Sequence, residues 1–267
     1  SINIGRLVPQ IVYYVYSYAN LYKNEEIAEG EEINVVVPTG NFGNILAAYY
    51  AKAMGVPINK LICASNDNKV LFDFFQTGIY NKNREFILTS SPSMDILISS
   101  NLERLIYQIT GKDADKTLEL MKSLSTKGEY KITEEMKSKV QEFIAGYATE
   151  GETAETIKKL YDKTGYIIDT HTAVAASVYN NYRTQTGDTT KTIIASTASP
   201  YKFARSVMNA IDTKYNTLSE LELVDELSKI SGTDIPGAIE EIKTAPILHT
   251  RVCDTDKMQE TVEEILK

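Results

Sequence analysis

The chain has 267 residues, 43% of them hydrophobic and 24% charged, enough for a sizeable core in one large domain or two small ones. Its net charge of −8 argues against a nucleic-acid binder, whose affinity comes from neutralising phosphates. No apolar run reaches the roughly 20 residues of a membrane-spanning helix, and Cys63 and Cys253 have neither metal-ligand nor CxxC spacing. A reduced, cytoplasmic protein with no metal site and no membrane partner is the expectation.

In chain order, apolar and aromatic residues from Leu7 to Tyr22 recur near helical spacing, with Ile11, Val12, Val15, Tyr18 and Tyr22 on the pattern. Pro9 suits only a first turn, so this helix is predicted to begin near residues 3–6. Ser1, Asn3 and Arg6 would then gather at its N-terminus, where an anion is favoured. An N-cap beside a solvated arginine explains the same residues without a ligand.

Residues 33–55, INVVVPTGNFGNILAAYYAKAMG, read as a buried strand, a glycine-containing loop and a helix over 45–54 that Gly55 and Pro57 stop. Gly40 and Gly43 can adopt backbone conformations closed to other residues and leave N–H groups exposed. Together with the positive end of the helix dipole, such groups make an anion site. The loop matches neither GxGxxG nor a P-loop, and an unliganded turn fits the spacing equally well.

LICAS, residues 61–65, is a second buried strand, so strand, helix and strand form a βαβ unit of a parallel sheet. Ligands of such sheets collect beyond the carboxyl ends of the strands, where Asn66 and Asp67 also lie, although Asx turns without function are common there. A short helix follows over 69–76. A serine-rich N-terminus with Asp95 in the first turn reads as the capped start of a long amphipathic helix ending near Thr110. Residues 113–125 and 133–145 read as two charged helices with solvated faces.

A helix from Glu152 or Thr153 to Lys163 closes at Gly165, and Asp169-Thr170-His171-Thr172 opens a helix whose small residues, 173–176, can pack closely on a sheet. His171 beside an aspartate fits either acid–base work or a structural bond at a helix start. A strand over 192–195 leads into STASPYKF, where Pro200 starts a helix to Ile211. The tail carries helices, a short strand near 247–253 and a final helix. His249 has no evident partner.

Four separated motifs carry a resemblance: SxNxxRxxxQ from Ser1, PTGNFGN from Pro38, SPSMDIxxSSNxER from Ser91 and STASPYKF from Ser196. Together they resemble threonine synthase, of the fold-type II pyridoxal-phosphate enzymes, over nearly the whole chain. The resemblance implies an α/β fold in three layers, a mostly parallel sheet flanked by helices, as in the large domain of the tryptophan synthase β-like fold. Residues 1–267 would form one such domain, incomplete on its N-terminal side, with a helical insertion at about 112–150.

The family converts O-phosphohomoserine and water into L-threonine and phosphate. By resemblance Gly40, Asn41, Phe42, Gly43 and Asn44 hold the phosphate of pyridoxal 5'-phosphate, and Thr197 hydrogen-bonds its pyridine nitrogen. Asn3 belongs to the substrate-binding segment, and Ser1, Arg6 and Asn41 hold the substrate phosphate, which suits the planar fork of arginine. A threonine at the ring nitrogen differs in kind from a carboxylate, which would keep that nitrogen protonated.

The family's cofactor-bearing lysine lies in an FKD-like motif upstream of these segments, and no lysine here, Lys202 included, has that context. The chain begins Ser1-Ile2-Asn3, so a piece of a longer enzyme, without a catalytic residue and inactive alone, is the expectation. Other fold-type II lyases (cysteine synthase or serine dehydratase relatives) and a non-catalytic phosphoryl-ligand module are the alternatives. The family permits a monomer or a homodimer.

Overall fold

A computed structural model describes residues 3–266. Helix α1 (Ile4–Lys23) is capped by Asn3, whose Oδ1 accepts the Gly5 N–H at 2.8 Å. Pro9 sits in its second turn, one turn later than expected, where its ring removes one helical hydrogen bond. Strand β1 (Ile33–Pro38) is buried at every residue because helices cover both faces. Helix α2 (Gly43–Ala53) returns the chain to β2 (Ile58–Ser65), which pairs with β1 in parallel, Val35 opposite Leu61.

Helix α3 (Val70–Thr77) ends at Gly78, and β3 (Ile79–Asn81) pairs antiparallel with β4 (Glu129–Lys131) in a separate ribbon. Between them lie α4 (Leu102–Ile109) and α5 (Ala114–Lys127). After α6 (Glu134–Ser138), β5 (Phe143–Tyr147) joins the far side of β2. Helices α7 (Glu150–Thr164) and α8 (Thr170–Thr186) precede β6 (Thr192–Ile194), which completes the parallel order β5-β2-β1-β6. The rest is helical: α9 (Ala204–Ile211), α10 (Glu220–Ser231), α11 (Gly237–Thr244) and α12 (Met258–Ile265).

The mostly parallel sheet between helical layers is the architecture the sequence predicts. On one face Leu7, Tyr14, Leu46 and Ala47 join Val35, Val37 and Leu61 in a single core. On the other, Val36, Ile62 and Ala64 meet Val174, Ala175 and Val178 of α8. The small residues of α8 permit this approach, and a Cβ at Gly146 of β5 would lie 2.6 Å from Val178.

Several expectations give way. The helix over 133–145 is only α6; Phe143 and Ile144 point to opposite faces, into the two cores, so a period of two overrides the charged pattern. The long helix after Asp95 is confined to α4, and the Asp95 carboxylate instead accepts bonds from Asn66, Asn68 and Thr89. The helix at Pro200 begins as a 3-10 turn, Pro200–Phe203, before α9. Residues 247–253 form no strand: Ile247 and Val252 are 83% and 92% exposed, and the stretch pairs with neither edge of the sheet, β5 or β6.

At the amino ends of the strands, buried Asn34 joins three segments. Its Nδ2 donates to Asp188 at 2.8 Å, and its Oδ1 accepts from Asn59 Nδ2 at 3.1 Å and Lys60 N–H at 3.2 Å. Asn34→Ala would strand these groups and cost about 1–3 kcal/mol, read as a lower denaturant midpoint at constant slope. Hydrogen bonds from Thr190 and Tyr182 hold the Asp188 carboxyl well below its usual range. Burial first, then Asp188, pushes the Tyr182 hydroxyl up to about 12. Both stabilising contributions are therefore present between about pH 4 and pH 10. Thermal unfolding across pH should show the Asp188 share fading below that window and the Tyr182 share above it, both lost in a Tyr182→Phe, Asp188→Asn double variant.

Candidate functional site

The loop that follows β1 is fixed by its carbonyls. Thr39 anchors its start, with its N–H on the Ala64 carbonyl at 2.8 Å and its Oγ1 on the Val37 carbonyl at 2.7 Å. The Gly40 carbonyl accepts Ser99 Oγ at 2.8 Å. The Asn41 carbonyl accepts both the N–H and the Nδ2 of Asn101, at 3.1 and 2.9 Å, and the Phe42 carbonyl accepts the Leu46 N–H. Each acceptor faces protein.

The donors are left over. Among the described residues, the backbone N–H groups of Gly40, Asn41, Phe42, Gly43 and Asn44 reach no protein acceptor. They surround the start of α2, so uncompensated N–H dipoles and the helix dipole act at one place. Phe42 adopts a left-handed φ of 64°, an arrangement that costs about 1–3 kcal/mol in a non-glycine residue. Its ring is buried against Phe75 and Phe143, centroids 6.1 and 5.8 Å away, and this packing holds the strained backbone.

Arg6, Leu7 and Gln10 of α1, with Ser93 and Asn101, close a cavity of about 190 Å³ over this loop. The Arg6 side chain is exposed and has no partner among the described residues. Free amides, a helix N-terminus and an unpaired guanidinium fit a phosphate group. Asn44 also lines a second cavity of about 400 Å³ with Tyr13, Tyr14, Ser17 and the segment Ile193 to Thr197. Because β6 pairs directly with β1, Thr197 comes out beside the glycine loop.

Sequence reading missed Tyr14, which donates to Asn44 Oδ1 and whose hydroxyl burial holds far above its usual range. Its helical spacing from Leu7 was the available signal. Ser93, Ser99 and Asn101 were also missed, although the SPSMDIxxSSN motif contains all three. Asn3 is placed as the α1 cap and lines neither cavity, and Ser1 lies outside the described residues. The ammonium of Lys202 sits 5.4 Å over the Phe203 ring and lines neither cavity. Asp67 accepts the Glu150 N–H at the start of α7.

A Cβ at Gly40 would fall well inside contact with the Ser93 carbonyl oxygen and 3.2 Å from Met94 Cα. Both obstacles are backbone, so Gly40→Ala should cost about 1–3 kcal/mol and shift the loop. Chemical unfolding should show the loss, and a variant as stable as the parent would contradict the packing described.

Residues 172–265 match the family model for the threonine synthase C-terminal region. Over 265 residues the chain is 40% identical to threonine synthase-like 1 of Homo sapiens, covering 98% of this chain and 34% of that protein. Among solved structures, threonine synthase from yeast superposes with a TM-score of 0.83 at 31% identity, over 100% of this chain and 53% of that one. Pyridoxal-phosphate-bound threonine synthase from Brucella melitensis gives 0.74 at 38% identity, over 88% and 48%. The chain thus spans between a third and about half of the length of these relatives. The chain thus corresponds to the C-terminal portion of a threonine synthase-like fold.

Proposed function

We propose that this chain supplies the phosphate cradle and ring partner of a pyridoxal-phosphate-dependent threonine synthase acting on O-phosphohomoserine. The observation that carries the reading is the loop at α2, with every carbonyl from Gly40 to Phe42 bound by protein and the N–H groups of residues 40–44 free. Gly40, Asn41, Phe42, Gly43 and Asn44 would hold the cofactor phosphate through these amides. Thr197 would offer a neutral hydroxyl to the pyridine nitrogen. When bound, the cofactor supplies an electron sink for negative charge developing on the substrate carbon.

Arg6 and the Asn41 side chain would take the substrate phosphate, with Ser1 and Asn3 from the same segment. Two guanidinium bonds orient the leaving group and stabilise its charge as it departs. Tyr14 fixes the Asn44 carboxamide, so α1 and the loop keep their spacing. Among the described residues, no lysine lines either cavity. We therefore read the isolated chain as a binding half that lacks the nucleophile and does not turn over. That same observation favours, as a second reading, a phosphoryl-ligand module without catalysis.

Treating the chain with pyridoxal phosphate and borohydride, then mapping modified lysines by mass spectrometry, tests the division of labour. Scattered, substoichiometric labelling is expected; one stoichiometric lysine would contradict it. Arg6→Ala should weaken phosphohomoserine binding about tenfold or more, the worth of a charged hydrogen bond. Equal calorimetric affinities would remove Arg6 from the site.

A further inference from the structure

His171 does not line the phosphate cavity, yet its Nε2 is bonded to Ser93, which does, and its Nδ1 to the α8 cap Asp169. It lies in the first turn of α8 and is 3% exposed. Its Nε2 is 3.2 Å from the backbone nitrogen of Ser93. A backbone N–H only donates, so Nε2 accepts and carries no proton. The ring proton is then on Nδ1, 3.1 Å from Asp169 Oδ1.

Asp169 is fully buried and caps α8, accepting the His171 N–H at 2.8 Å on the same oxygen. Burial alone would raise its carboxyl, but hydrogen bonds from His171 and Thr172 outweigh burial and hold it below its usual value. An ionised Asp169 selects the Nδ1–H tautomer. The Phe203 ring, centroid 4.8 Å from the imidazole, fixes the ring plane. One residue earlier on α8, Thr170 Oγ1 donates to the Ser90 carbonyl at 2.8 Å. The segment from Ser90 to Ser93 is thereby tied to α8 at both ends.

Ser93 in turn presses on the loop, for its carbonyl lies against Gly40 with no room for a Cβ. We infer that His171 is a positioning residue for the phosphate loop: it holds Ser93 against Gly40 and so keeps the loop in the conformation that leaves its N–H groups free. This rests on the phosphate-binding reading above. It assigns His171 no proton transfer, since Asp169 and Ser93 occupy both nitrogens.

Long-range proton–nitrogen NMR on the unsubstituted chain should show His171 neutral, protonated at Nδ1, with Nε2 a bare acceptor. A proton on Nε2 overturns the inference without any variant having to fold. His171→Ala should shift the amide resonances of Ser93 and of residues 40–44 and weaken binding of inorganic phosphate about tenfold, as for a lost anchoring bond. His171→Gln, whose side-chain carbonyl can accept from Ser93, should restore most of both. A folded Ala variant with unchanged loop resonances and unchanged affinity overturns the positioning role, leaving a purely structural histidine. If the Ala variant does not fold, the Gln variant decides by the same resonances. If the parent chain binds no phosphate, the functional reading fails, while the loop resonances still judge His171.

Discussion

The structure depends on a division of labour within five residues. From Gly40 to Phe42 the carbonyl oxygens are satisfied by protein donors, and the N–H groups of residues 40–44 reach no acceptor among the described residues. Buried or half-buried donors without acceptors are costly, and a left-handed Phe42 adds strain. Such an arrangement persists only because its surroundings over-determine it. The Phe42 ring is locked among Phe75 and Phe143, Ser99 and Asn101 grip two carbonyls, and Ser93 leaves Gly40 no space. An anion at this place would relieve the electrostatic cost and use the helix dipole as well.

The sheet supplies the second constraint. Parallel pairing of β1 with β6 brings two carboxyl ends out side by side, so the glycine loop and Thr197 become neighbours although more than 150 residues separate them. Helix α1 crosses above both and contributes Arg6 to one cavity and Tyr14 to the other, with Asn44 shared between them. Asn34 and Asp188 close the opposite, amino ends of the same strands, where stability rather than binding is served.

What the sequence disclosed follows the range of the forces involved. β1 and β2 were legible as continuous buried runs, and the Asp169 start and Gly165 stop were legible as local capping chemistry. The glycine loop was legible as a loop, but its ligand readiness depends on Ser99 and Asn101, sixty residues away, which no local pattern encodes. β5 was read as helix because FIAGY sits amid charged residues, and only the paired faces of the sheet reveal its period. Asp95 was placed in a helical first turn because its actual partners, Asn66 and Asn68, are distant in sequence. Residues 247–253 were expected to hold a short strand, yet a strand requires a paired neighbour, and this exposed stretch pairs with none.

The most direct test of the central claim is a crystal structure of this chain grown with pyridoxal phosphate. The phosphate should sit on the N-terminus of α2, its oxygens about 3 Å from the N–H groups of residues 40–44, with the ring directed toward Thr197. A phosphate bound elsewhere, with the loop amides still free, would contradict the account.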